Sequence, residues 1–367
     1  MEKRRLHIGW LLAISCWLLV VGCSSDGTGE RQPAVLTVYV YSPEHPMLIR
    51  AAVGSVSPSV AESRVNKLQI WVFESNTGRK VGYLETTETS LLNTGEGATF
   101  QVVVDDAFSQ QKPDVDIYVL ANIEESNCGD TLNENSTREA LREAKLDETH
   151  FGLSPLITAV PVAGLPMAGL LRNQPVIGDA PVLRIGSRSN LATVSLTRAV
   201  SKVRFVFANT TNTPTLSIKK IQLNAGMIPN EEYLIPQSRT LAYNDVPAPL
   251  LPTAISEVQA VENPTIYIYS GQEAQAYEDF ITESELTKTD PYYLHESDKQ
   301  LEGTITYTLG DGGEQVKTFR MEAAGDFLRN HTWIVYAYHA GGGFLQLNAL
   351  YVKDWNNNAI GHEIYNW

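Results

Sequence analysis

The chain has 367 residues, 43% of them hydrophobic and 19% charged, with a formal net charge of −14. That length accommodates two domains of about 150 residues each. The acidic balance excludes a surface built to bind nucleic acid or an anionic membrane, because both would repel it.

The first residues read as an export signal. A basic start (Lys3, Arg4, Arg5) precedes an apolar core from Leu11 to Val21. The core is too short for the ~20 residues that a membrane-spanning helix needs. Gly22-Cys23 closes it and resembles the lipobox of bacterial lipoproteins, in which the cysteine receives a diacylglycerol and becomes the first residue. Val20 stands where that pattern usually has Leu; an ordinary cleaved signal is the alternative. Residues 1–22 hold Glu2 against Lys3, Arg4 and Arg5, a balance of +2, so the exported part carries −16. Cys16 leaves with the signal and Cys23 is used for lipid, so Cys128 is left with no cysteine to pair with in this chain. It is expected to be a buried small apolar residue.

Ser24 to Pro33 is polar and glycine-rich, a tether. Strands are then expected in quick succession. In Ala34 to Tyr41, Leu36, Val38 and Val40 share one face and Val35, Thr37, Tyr39 and Tyr41 the other. Val65 to Phe73 ends at the turn signal Ser75-Asn76-Thr77-Gly78, and Thr99–Val104 and Val115–Ala121 follow. Ser136-Thr137-Arg138-Glu139 fits a capping box with Ser136 as the cap, ahead of a small apolar face of Ala140, Leu141, Ala144 and Leu146. A polar loop with a helical turn is the other reading of that stretch. Residues 152–190 are rich in Pro and Gly, which places a domain boundary near 190. Strands resume at Ala192–Leu196, Lys202–Ala208, Leu216–Leu223 and Thr265–Tyr269. Gly310-Asp311-Gly312-Gly313 turns a hairpin between Thr304–Leu309 and Gln315–Met321. The last strands are Thr332–Tyr338 and Phe344–Trp355, joined through Gly341-Gly342-Gly343. The fold class is therefore mainly β, two sandwiches with a short helix in the first.

The chain offers no catalytic residues, cofactor site or metal site. Its seven histidines (His7, His45, His150, His295, His331, His339, His362) show no ligand spacing, and His331 and His339 are expected at a surface or turn. There is no Gly-x-Ser-x-Gly elbow and no phosphate-cradling glycine loop. Asp105-Asp106 and Glu124-Glu125 are adjacent pairs, read as solvated loops rather than an acid/base couple. Exposed aromatics for glycan or host-protein binding would be sought at Tyr292-Tyr293 or Tyr267–Tyr269.

Several segments, in order, resemble those of the fimbrillins, the FimA-type and Mfa-like subunits of type V pili. They are Val65-Asn66-Lys67-Leu68-Gln69-Ile70-Trp71-Val72-Phe73, Tyr118-Val119-Leu120-Ala121-Asn122 and Pro166-Met167-Ala168-Gly169. Leu196-Thr197-Arg198-Ala199-Val200-Ser201-Lys202-Val203, Arg329-Asn330-His331-Thr332-Trp333 and the ending Tyr351-Val352-Lys353-Asp354-Trp355 complete the set. The resemblance implies a non-enzymatic structural pilin with two β-sandwich-like, transthyretin-like domains. They would span 51–190 and 191–367, behind a signal at 1–22 and a removable segment at 23–50.

It further implies an outer membrane lipoprotein held through Cys23, then a cell-surface fimbrium. An arginine-specific surface protease would cut between Arg50 and Ala51, and the vacated groove would take the tail of the next subunit. Trp355, Ile360, Ile364, Tyr365 and Trp367 are the tail residues expected to dock. The implied partners are other copies of the chain, accessory pilins, and host proteins or glycans, with no cofactor and no nucleic acid. Two alternatives stay open on the residues themselves. The tail is also readable as a terminal strand paired within its own domain, and Arg50 as a loop arginine, with Arg31 and Arg64 as exposed alternatives. Stalk, anchor and tip subunits, or a monomeric surface lipoprotein, all fit this pattern.

Overall fold

Alternation of apolar and polar residues, with β-branched and aromatic side chains at high density, yields a protein whose regular structure is mainly strand. The computed structural model describes residues 32–42, 60–94, 97–124, 128, 130–147, 151, 157–237, 242–251, 253–260, 286–320, 327–354 and 360–363. The first half carries β1 (Ala34–Tyr41), α1 (Val60–Ser63), β2 (Leu68–Glu74), β3 (Lys80–Thr86), β4 (Ala98–Val104), α2 (Asp106–Gln111), β5 (Val115–Ala121) and α3 (Arg138–Glu143). Then come β6 (Met167–Gln174), β7 (Val176–Asp179), β8 (Val182–Ser187), β9 (Asn190–Leu191), β10 (Thr193–Ser195) and β11 (Thr197–Arg198). These strands form one 11-stranded sheet, ordered β11-β6-β5-β2-β3-β4-β1-β8-β7, with β10 on β1 and β9 on β8.

That sheet is nearly two. Its halves meet at a single registered pair, Gly82↔Val104 between β3 and β4. The glycine is required there: a Cβ would sit 2.7 Å from Val102 Cγ1 and 3.1 Å from the Val103 carbonyl oxygen. Gly169 does the same where β6 passes β10, since its Cβ would lie 2.7 Å from the Ser195 carbonyl oxygen. The curled sheet encloses a core of Leu36, Val38, Val40, Leu68, Ile70, Val72, Val102, Ile117, Val119, Leu183 and Val194.

The second half carries β12 (Ser201–Asn209), β13 (Leu216–Leu223), β14 (Ala248–Pro249), β15 (Thr287–Lys288), β16 (Tyr292–Leu294), β17 (Glu302–Leu309), β18 (Gln315–Arg320), β19 (His331–His339), β20 (Gln346–Asp354) and β21 (Ile360–Glu363). They make a six-stranded sheet, β15-β12-β19-β20-β21 with β16 also on β12, and a four-stranded sheet, β14-β13-β17-β18. The two enclose a second core in which Val203, Phe205, Phe207, Trp333 and Val335 meet Leu216, Ile218, Ile221, Ile305 and Phe319. Phe205 and Phe319 pack edge to face, with ring centroids 5.3 Å apart.

A third apolar cluster covers the outer face of β2 and β5. Trp71, Phe73, Tyr118 and Leu120 contact Leu141 and Ala144 from α3 and its end, together with Ala199, Val200, Leu234, Ile235 and Tyr293. Residues 33–367 accordingly form one compact unit. Cys128 lies in this cluster, and burial pushes its thiol up to about 11, as expected of an inert apolar cysteine.

Some expectations need correction. The cap of α3 is Thr137, whose Oγ1 accepts from the Ala140 amide at 3.1 Å. Ser136 instead accepts from the Asn133 amide. Asp105-Asp106 is a helix start: Asp105 caps α2 by accepting from the Phe108 amide at 2.6 Å and pairs with Arg79. His331 and His339 begin and end β19, and His339 is fully buried against Asn209 and the Gly342 carbonyl. Tyr292 and Tyr293 are buried in β16 and offer no binding surface, while Tyr267–Tyr269 lie outside the described residues. Among the described residues no helix is long and apolar enough to cross a membrane, and no group of His, Cys, Asp and Glu is placed to hold a metal.

Candidate functional site

β1 is the terminal strand of the described chain, yet it lies inside its sheet. On one side it runs antiparallel to β4 from Ala34↔Val104 to Val40↔Ala98. On the other it runs parallel to β8 at Val35↔Val182 to Thr37↔Arg184, and to β10 at Tyr39↔Thr193 to Tyr41↔Ser195. Its backbone is tied at both ends, where the Val35 amide donates to the Pro181 carbonyl and the Leu196 amide to the Tyr41 carbonyl. Period-two alternation puts Ala34, Leu36, Val38 and Val40 into the core, the last three with no exposure at all. Without β1, the sheet would present a slot with bare backbone on both walls and an apolar floor.

A buried polar cluster surrounds α1. Glu62 and Lys202 form an ion pair at 2.9 Å, with side chains only 3% and 8% exposed. Tyr293 donates its hydroxyl to Glu62 Oε1 at 2.7 Å. Arg198, fully buried, donates to the Glu62 carbonyl (2.9 Å), to Ser63 Oγ (2.9 Å) and to Asn330 Oδ1 (3.0 Å). Burial lowers the Lys202 ammonium below the ordinary lysine range, against the raising effect of Glu62. Burial likewise raises the Tyr293 hydroxyl, and Glu62 adds to the rise.

The hold continues along the next residues. Asn122 sits at positive φ (61°), donates Nδ2 to the Arg64 carbonyl at 2.8 Å and accepts from the Asn66 amide at 2.8 Å. Asn93 accepts from the Val65 amide at 2.8 Å, and Thr89 donates to the Val65 carbonyl at 2.6 Å. Sequence reasoning assigned no role to Glu62, Asn122, Arg198, Lys202 or Asn330. The available signal was polar residues at the ends of apolar runs: Asn122 after Tyr118–Ala121, and Arg198 and Lys202 flanking Ala199-Val200.

The structure places few of the expected site residues. Cys23, Arg50, Ala51, Trp355, Ile364, Tyr365 and Trp367 lie outside the described residues. Ile360 starts β21, which runs antiparallel to β20 of the same chain from Lys353↔Ile360 to Leu350↔Glu363. β21 is the outermost strand of its sheet.

No family model matches the chain, and no curated protein matches it. Solved structures do match. The chain is similar to the tip fimbrial protein Mfa3 from Porphyromonas gingivalis with C-terminal truncation, at 16% identity over 88% of this chain and 100% of that one, with a TM-score of 0.49. It is similar to a candidate cell adhesion protein from Bacteroides eggerthii, at 13% identity over 90% and 98% of the two chains, TM-score 0.49. A fimbrial assembly protein from Parabacteroides distasonis matches at 12% identity over 91% and 100%, TM-score 0.42.

Proposed function

We propose that the chain is a structural pilin of the fimbrillin type, exported as a lipoprotein on Cys23. An arginine-specific protease cuts it between Arg50 and Ala51, and strand exchange polymerises it into adhesive surface fibres. On this reading the 11-stranded sheet is the N-terminal domain, and the two later sheets are the C-terminal domain that carries the donor tail.

The observation that supports it is the seat of β1: the first strand among the described residues, with neighbours on both sides, followed by the segment that contains Arg50. Removing such a strand creates a site that only another strand can fill, since the site demands both backbone pairing and alternate apolar side chains. Refilling the positions of Leu36, Val38 and Val40 recovers about 4.5–9 kcal/mol as an upper figure. Head-to-tail filling of that kind does not close on itself and so makes a filament. The pairing of β21 with β20 favours a second reading, an anchor or tip subunit that keeps its own tail.

The deciding measurement is the N-terminus of the protein recovered from the cell surface, by mass spectrometry. A start at Ala51 supports the stalk subunit. A lipidated Cys23 on every molecule overturns it in favour of an anchor or a monomeric lipoprotein.

A further inference from the structure

The exported chain offers an arginine-directed protease three early arginines: Arg31, Arg50 and Arg64. Arg64 is exposed, only fourteen residues beyond Arg50, and its side chain is open to solvent. Its peptide bond is not. A protease must draw several residues on each side of the scissile bond into an extended form. Here five of the ten backbone polar groups from Glu62 to Asn66 are held by side chains remote in sequence.

Arg198 holds the Glu62 carbonyl, and Asn122 holds the Arg64 carbonyl and the Asn66 amide. Asn93 and Thr89 hold Val65 on both its amide and its carbonyl, and the Val65 side chain is fully buried. The Glu62 carboxylate is anchored by Lys202 and Tyr293. Cutting at such a site requires local opening, and its rate follows the population of the open form.

We infer that this side-chain clamp over Glu62–Asn66 is a proteolytic stop, which confines arginine-directed trimming of the N-terminal segment to bonds before residue 60. The inference rests on the reading that Arg50 is a processing site, but the clamp can be tested without it. The stop has a purpose in the structure. A cut after Arg64 would detach Glu62 and leave the Lys202 ammonium buried without that carboxylate, whereas a cut after Arg50 removes β1 and keeps the pair.

The test is timed digestion of the folded, exported chain with an arginine-specific endoprotease, reading new N-termini by mass spectrometry. Cutting at the Arg64–Val65 bond is expected to be slower than at Arg50–Ala51 by about 100-fold or more. Asn122→Gly, which suits the positive φ and removes two of the holding bonds, is expected to speed the Arg64 cut by about 10- to 100-fold. Circular dichroism of N122G establishes that the variant is folded, and Glu62→Gln serves as a second variant. Ready cutting at Arg64 in the wild-type chain overturns the stop, even if Arg50 is also cut. So does an unchanged Arg64 rate in both folded variants. A wild-type chain that resists at both arginines, with N122G opening Arg64, supports the stop and overturns the Arg50 reading instead.

Discussion

The two ends of the described chain are both strands, and they are held in opposite ways. β1 has β4 on one side and β8 and β10 on the other, and buries alternate side chains in the core. β21 is four residues long and, among the described residues, has β20 alone for a neighbour at the rim of its sheet. Position in the chain therefore says little about position in the sheet. Losing an outer strand bares one edge, while losing an inner strand opens the core. A protein that exchanges strands needs both kinds: a deep seat that is costly to leave empty, and a peripheral segment that is cheap to release.

The largest effect that sharpens this contrast is the loss of β1 itself. A chain that begins at Ala51 is expected to lose about 5–9 kcal/mol in urea unfolding, comparable with the whole stability of a domain. A synthetic peptide spanning Pro33–Ser42 should restore part of that loss in a concentration-dependent way. A chain ending at Asp354, which lacks β21, is expected to lose only about 1–2 kcal/mol. Equal losses from the two truncations would break the contrast.

Next in size is the anchor behind β1. Lys202→Met leaves the Glu62 carboxylate buried without its ammonium and is expected to cost about 3–5 kcal/mol, with much of that regained in Glu62→Gln/Lys202→Met. If the single variant is neutral by calorimetry, residues after the first strand are not held independently of it.

A third effect is a pH dependence in the second half of the chain, which also carries β21. His295 is buried, donates Nδ1–H to the Pro229 carbonyl, and is pushed by burial from 6.5 down to about 4. A base with a lowered folded value contributes stability that is complete above pH 6.5 and lost as pH falls toward 4. The loss is about 3 kcal/mol, and His295→Gln should flatten that part of the unfolding profile. The inward face of β1 is Ala, Leu and Val, so that face carries nothing to titrate. Parallel pH profiles for wild type and H295Q would locate the acid sensitivity elsewhere.

Much of the strand pattern was legible because it depended on neighbours in sequence. Val115–Ala121 and Leu216–Leu223 are strands at the bounds that their apolar runs indicate, and the hairpin around Gly310 turns where the glycines allow it. The grouping of Leu36, Val38 and Val40 on one face of β1 followed from alternation alone. Other parts were illegible for physical reasons. β2 and β5 are buried on both faces, so their apolar runs mark them as strands but do not show that α3 and the third cluster cover the outer face. β6 to β8 lie within a Pro- and Gly-rich stretch that composition marks as punctuation, and Gly169 is there because β10 passes against it. The clamp joins residues 136, 140 and 231 positions apart, and no local pattern brings Arg198, Lys202 and Tyr293 to Glu62.

The double embrace of β1 also bears on mechanics. A pull on the chain end, directed along the strand, is shared at once by the pairs to β4, β8 and β10, because all of them lie alongside the line of force. They must shear together rather than peel one by one. How long a strand in that seat withstands tension is then governed by the rate of crossing the unfolding barrier, not by equilibrium stability. The same seat can serve as a grip whose lifetime under load outlasts what its binding free energy alone would suggest.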